Sequence, residues 1–192
     1  MQANEILADW ISDLARDVRE QVQKLSLDEL TWQPDSEANS IGLTVWHFSR
    51  WLDLLAVRAL ENRPPEEEQW FTRGWAQKTG YDPRGTGYAG LGALTGYTQA
   101  EVALVPTLSA DDLLTYLDQV CETLRSQLLA MSGEAVHQVV PGLTGKRTPY
   151  QWVKPILQGC FGHLGEIECL NAMRARQVAS DSSLAGSSST AM

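Results

Sequence analysis

Apolar residues recur three and four positions apart along four long stretches of this 192-residue chain. That spacing places them on one face of an α-helix. The first stretch carries Leu7, Trp10, Ile11, Leu14, Val18, Val22 and Leu25, with Asp9, Asp13, Arg16 and Glu20 between them. The second, over 40–62, is apolar almost throughout from Ile41 to Leu60 and is expected to be buried on more than one side. Asn39 or Ser40 caps it, and Pro64-Pro65 stops it. The third, over 110–132, is capped at Ser109, striped by Leu113, Leu117, Val120, Cys121, Leu124 and Leu128, and ended by Gly133. The fourth opens on Thr148-Pro149, a cap followed by proline at the first helical position. It is expected to run to about Gln177, kinked at Pro155. Together these stretches predict an all-α fold, a four-helix bundle with a long crossover between helices 2 and 3.

The segments between them are less regular. Ser26-Leu-Asp-Glu29 is a capping box for a short turn. Residues 63–108 do not read as one element, and seven glycines fall between Gly74 and Gly96. Short helices are expected to start at Pro65 and at Thr98, whose T-x-x-E runs to Glu101. A connection of this length is a lid, a binding loop or an interface arm, or else a plain crossover. Residues 134–147 form a polar connector with a strand-like turn at Val139-Val140-Pro141. The expected domain spans 1–178, and the Ser-rich tail 179–192 is too polar and small to pack, so it is expected to be disordered.

Composition narrows the function classes. A formal net charge of −9 repels phosphate backbones, and the lysines at 24, 78, 146 and 154 form no stripe, so no nucleic-acid partner is expected. No run reaches the ~18 apolar residues of a membrane span, so no membrane partner is expected either. The opening residues have neither the basic nor the apolar region of a signal peptide, which makes the cytoplasm the expected address. Three cysteines, Cys121, Cys160 and Cys169, are few, odd in number and not in a CxxC pair, so no disulfide framework is expected.

The residues able to do chemistry are few. His47 follows Leu43 and His163 follows Cys160 on the apolar faces of helices 2 and 4, so both are expected to point into the bundle, where metal sites are built from facing helices. Two satisfied core imidazoles are the bland alternative. Gly159, Gly162 and Gly165 fall within one short run of a presumed helix, each at a cost of about 1 kcal/mol against alanine. Close helix packing or space for a ligand would each offset that cost. Glu166, one turn after His163, is expected to be partly buried, and Arg50, one turn after His47, is its expected cation. On this reading His47, Arg50, His163 and Glu166 form one polar cluster.

The runs Leu27-Asp-Glu-Leu-Thr-Trp-Gln-Pro34, Asn39-Ser-Ile-Gly-Leu-Thr-Val-Trp-His-Phe-Ser-Arg50 with Asp53, and Phe161-Gly-His-Leu-Gly-Glu-Ile167 resemble the DinB-like superfamily in their order and spacing. The resemblance covers roughly residues 5–176. It implies a four-helix bundle, often a homodimer, with a divalent-metal site for zinc or nickel and a small-molecule thiol or other substrate. It also implies one histidine ligand on the second helix and a pair four residues apart on the last. His47 matches the first ligand and His163 the last. The middle ligand falls on Gly159, which has no side chain.

Two functional expectations follow. The first is a metal-dependent transferase or hydrolase. Its ligands would be His47, His163 and Glu166, and its pocket Arg50, Trp51, Gly159 and Cys160, with Arg50 as anion anchor. The second is a binding or interaction module that keeps the bundle and has lost the metal. Catalytic zinc generally takes three protein ligands plus water, so Gly159 favours the second and the two histidines favour the first.

Overall fold

The computed structural model describes residues 2–143 and 145–187. In chain order the helices are α1 (Ala3–Val22), α2 (Leu27–Thr31), α3 (Ile41–Leu54), α4 (Gln69–Thr72), α5 (Trp75–Thr79), α6 (Gln99–Val102), α7 (Ala110–Ala130) and α8 (Pro149–Ser187). The four long ones close a ring. α1 packs on α7 and α8, and α3 packs on the same two helices. The all-α fold is as expected from the periodicity.

The caps sit where the polar residues put them. Ser26 and Glu29 form a reciprocal capping box, as do Thr98 and Glu101. Ser40, not Asn39, caps α3 by accepting from the Leu43 N–H, and Ser109 accepts from Asp112. Thr148 and Gln151 bond each other's backbone N–H at the start of α8. Each such cap satisfies an amide that the first helical turn leaves without a partner, at about 1 kcal/mol apiece.

Along α1 the buried face is apolar from Leu7 through Ile11, Leu14 and Val18 to Val22, and the buried Asn4 before them donates to the Leu128 and Met131 carbonyls. Trp10 departs from that stripe: it is 41% exposed and meets Phe161 of α8 edge-on at 6.5 Å. Around α3 the core is aromatic. Trp46 meets Trp70 at 5.9 Å and Trp70 meets Tyr116 at 5.2 Å, both edge-on.

Three segments go beyond or depart from expectation. After Leu54 the second long helix widens into a π-helical turn, Leu55–Ala59, where the Leu60 N–H reaches back to the Leu55 carbonyl. Residues 140–147 form a small antiparallel hairpin, β1 (Val140–Gly142) and β2 (Gly145–Arg147), with Pro141 opposite Lys146. Gly142 is required there, since a Cβ would lie 2.8 Å from the Trp152 indole nitrogen. Finally, α8 continues past its expected end near Gln177 to Ser187. Residues 175–180 are exposed, but extending an established helix costs far less than starting one, and no proline intervenes. Residues 188–192 of the expected tail lie outside the described residues. Among the described residues, no helix is long and apolar enough to cross a membrane.

Candidate functional site

α3 and α8 bring His47 and His163 together. Their ring centroids are 4.8 Å apart, with the planes nearly perpendicular. His47 Nδ1 lies 2.6 Å from the Ala93 carbonyl oxygen. A carbonyl only accepts, so Nδ1 donates and the lone pair of the neutral ring is on Nε2. His163 Nδ1 lies 2.7 Å from Glu166 Oε2 and donates to that carboxylate. Both imidazoles therefore engage an oxygen through Nδ1, which leaves Nε2 as the nitrogen turned to other partners. Burial pushes the His47 imidazole down to about 4, helped by His163 and opposed by the Ala93 bond. His47 is thus neutral at physiological pH.

The two rings line a cleft of about 160 Å³, walled by Phe48 and Trp51 from α3 and by Pro155, Ile156, Gly159 and Cys160 from α8. Trp51 is fixed by its indole N–H, which donates to Thr95 Oγ1 at 3.2 Å. Cys160 is 2% exposed, and burial pushes its thiol up to about 12, so at neutral pH it is a protonated wall residue. A larger cleft, about 250 Å³, lies between α2 and residues 102–108. It has no histidine, cysteine or charged side chain in its lining and so lacks donors for acid–base or metal chemistry.

The expected cluster of His47, Arg50, His163 and Glu166 does not form. Glu166 is exposed, with 57% of its side chain accessible, and its carboxylate is engaged at His163 Nδ1. It is placed to orient the ring, not to share a ligand with Nε2. Arg50 does not line the cleft at all. It is wholly buried in a separate network, because Asp53 and Glu68 offer it carboxylates that the exposed Glu166 does not. Its Nη1 donates to Asp53 at 3.2 Å and to the Tyr116 hydroxyl at 3.1 Å, Nη2 to Glu68, and Nε to the Gly92 carbonyl at 3.2 Å. With its donors so engaged, Arg50 is not an anion anchor. Burial alone would lower its basicity, but Tyr116, Glu68 and Asp53 raise it overall.

Sequence reasoning missed the part played by the glycine-rich crossover. Three of its residues bond α3 side chains in a row: Gly92 to Arg50, Ala93 to His47 and Thr95 to Trp51. The strap is tightly folded, and a Cβ on Gly92 would lie 2.6 Å from the Pro83 carbonyl oxygen. Leu94 takes a left-handed φ of 68°, a conformation costing roughly 1–2 kcal/mol for a branched residue. Two of the three contacts come from backbone carbonyls, which no residue type announces. The run of glycines was the available signal.

Among the described residues, Gly159, Gly162 and Gly165 of α8 have no packing role. A Cβ built on Gly159, Gly162 or Gly165 meets nothing within 4 Å, which removes close helix packing as their explanation. Gly162→Ala and Gly165→Ala, outside the cleft, should each raise the unfolding free energy by about 0.4–1 kcal/mol, read from the urea midpoint at constant m. A fall instead would show that this face is covered in solution.

Among the described residues, no group of three His, Cys, Asp or Glu side chains converges closely enough to hold one ion. His47 and His163 offer two nitrogens. Gly159, one turn before His163, offers none. The donor set of this chain therefore does not fit a metal centre built from protein ligands alone.

A profile of the DinB superfamily matches residues 11–167. The fold is similar to the crystal structure of a conserved protein from Enterococcus faecalis, with a TM-score of 0.72 at 20% identity, over 88% of this chain and 95% of that one. No curated protein matches the chain. The helical order, the paired histidines and the match over most of the domain lead to one conclusion: the chain belongs to the DinB superfamily.

Proposed function

We propose that this DinB-superfamily protein binds a compact small molecule in the His47–His163 cleft without a resident metal ion. The observation that carries this reading is Gly159. It lines the cleft one helical turn from His163, has no side chain, and has open space where one would lie. The cleft supplies apolar walls from Phe48, Trp51 and Ile156, the neutral His47 imidazole, whose Nε2 accepts a hydrogen bond from a ligand, and the His163 ring beside it.

A second reading, a divalent-metal-dependent transferase or hydrolase acting on a thiol or similar substrate, is favoured by one feature. Both histidines donate through Nδ1 to oxygen acceptors, the support that metal-ligating imidazoles normally have.

Metal content of the purified, tag-free protein separates the two. The ligand-binding reading expects less than about a tenth of an equivalent of any transition metal, unchanged in His47→Ala and His163→Ala. Near-stoichiometric zinc or nickel, lost in both variants, would establish the metalloenzyme reading instead.

A further inference from the structure

We infer that the ligand of the His47–His163 cleft carries a cationic amine, held on Glu166 one helical turn beyond the rings. This rests on the reading of the cleft as a small-molecule site without a resident metal. Three observations lead to it.

First, the cleft does not end at His163. A second cleft of about 320 Å³ lies between Ala38, Asn39 and Thr44 on one side and Glu166, Cys169 and Leu170 on the other. On α3, Thr44, His47 and Trp51 follow at steps of three and four residues, and on α8 Ile156, Gly159, His163, Glu166 and Leu170 do the same. The two clefts are therefore successive parts of one groove between α3 and α8, roughly 20 Å long at the rise of an α-helix. Second, one bonded pair joins the two parts. His163 lines the first and Glu166 the second, and Glu166 spends only Oε2 on His163 Nδ1. Among the described residues Oε1 has no hydrogen-bond partner, and with 57% of the side chain accessible a ligand can reach it. Third, the groove carries one sign of charge. Among the described residues lining either part there is no lysine or arginine, and Glu166 is the one carboxylate. Such a groove favours a cation and disfavours an anion.

Each part takes a different end of the ligand. A space of about 160 Å³ walled by Trp51 and Phe48 suits a single aromatic ring. The Glu166 carboxylate takes the ammonium group through a charge-assisted hydrogen bond to Oε1. Because that carboxylate is open to solvent, the charge is worth a few-fold in affinity and no more. No covalent bond is made or broken. The ammonium exchanges one water for Oε1.

Phenylbutylamine, phenylbutanol and phenylbutyrate are the probes. They share one skeleton, whose chain spans about one helical turn, and differ in terminal charge. Each is titrated into the full chain at neutral pH and low ionic strength, followed by the His47 ring protons in NMR spectra. The amine should bind about three- to fivefold more tightly than the alcohol, and the butyrate more weakly than the alcohol. Raising the salt to about 0.5 M should level the three. Glu166→Gln keeps an oxygen for His163 Nδ1 and drops the charge, so it should bring the amine level with the alcohol. Gly159→Leu, whose side chain enters open space in the cleft, should weaken all three. Unchanged binding in Gly159→Leu would put the probes outside the cleft and overturn the inference. If wild-type protein binds amine and alcohol equally, or Glu166→Gln keeps the amine's advantage, the inference falls and the ligand-binding reading stands. If no probe shifts the His47 protons at millimolar concentration, the inference falls as well, and metal content alone decides that reading.

Discussion

Replacing Arg50 with alanine should lower the unfolding free energy by about 3–5 kcal/mol, the cost of leaving buried charges without their counterion. Arg50, Asp53 and Glu68 are each at most 1% exposed. Asp53 accepts from the Gln69 and Trp70 backbone amides and from the Tyr116 hydroxyl, and Arg50 supplies its balancing charge. Burial already pushes the Glu68 carboxyl up against the pull of Arg50. Without the guanidinium, one carboxyl must take a proton or water must enter the core. Lysine keeps the charge but cannot reach Asp53, Glu68, Tyr116 and Gly92 at once, so Arg50→Lys should fall between wild type and alanine. Urea unfolding at neutral pH measures both. A loss below about 1 kcal/mol for Arg50→Ala would mean that the network does not hold the crossover to α3 and α7.

The second large effect is a pH dependence that belongs to His47. Its folded-state value is about 4, below the ordinary 6.5, because burial disfavours the cation. Between those values the unfolded chain binds more protons at this site than the folded one. Stability therefore rises with pH from about 4 to 6.5 and is flat above. The difference amounts to roughly 3 kcal/mol between the two ends of that window. In His47→Gln, which keeps an N–H for the Ala93 carbonyl, this part of the slope should vanish while that of the carboxylates persists. Wild-type and variant curves running parallel from pH 4 to 7 would show that the imidazole is not desolvated. The His47 ring protons should likewise titrate near pH 4 by NMR.

Much of the architecture was legible because it rests on local rules. Ser40, Ser109, Thr148 and the Ser26–Glu29 and Thr98–Glu101 boxes announce helix starts with side chains that bond amides three residues on. The apolar spacing of α1 and α7 names the faces that are buried. The meeting of His47 with His163 followed from periodicity together with the resemblance. What stayed hidden depends on long-range geometry. Nothing local says that Arg50 pairs with Glu68 across the crossover and not with Glu166. Asp53, a second charge on the most apolar helix, was the available hint. The Ala93 carbonyl that sets the His47 tautomer is backbone, and its place depends on the left-handed turn at Leu94.

That strap makes affinity a shared property of the domain. The crossover holds His47 and Trp51 in the cleft by the same run of residues that closes over Arg50 in the interior. A molecule whose strap has come away presents a different imidazole and a loose indole wall. Apparent affinity is then the intrinsic affinity scaled by the fraction of molecules that are fastened. Substitutions at Glu68 or Tyr116, which no ligand in the cleft would touch, would retune binding there by changing that fraction, so selection for such a ligand would act through the core.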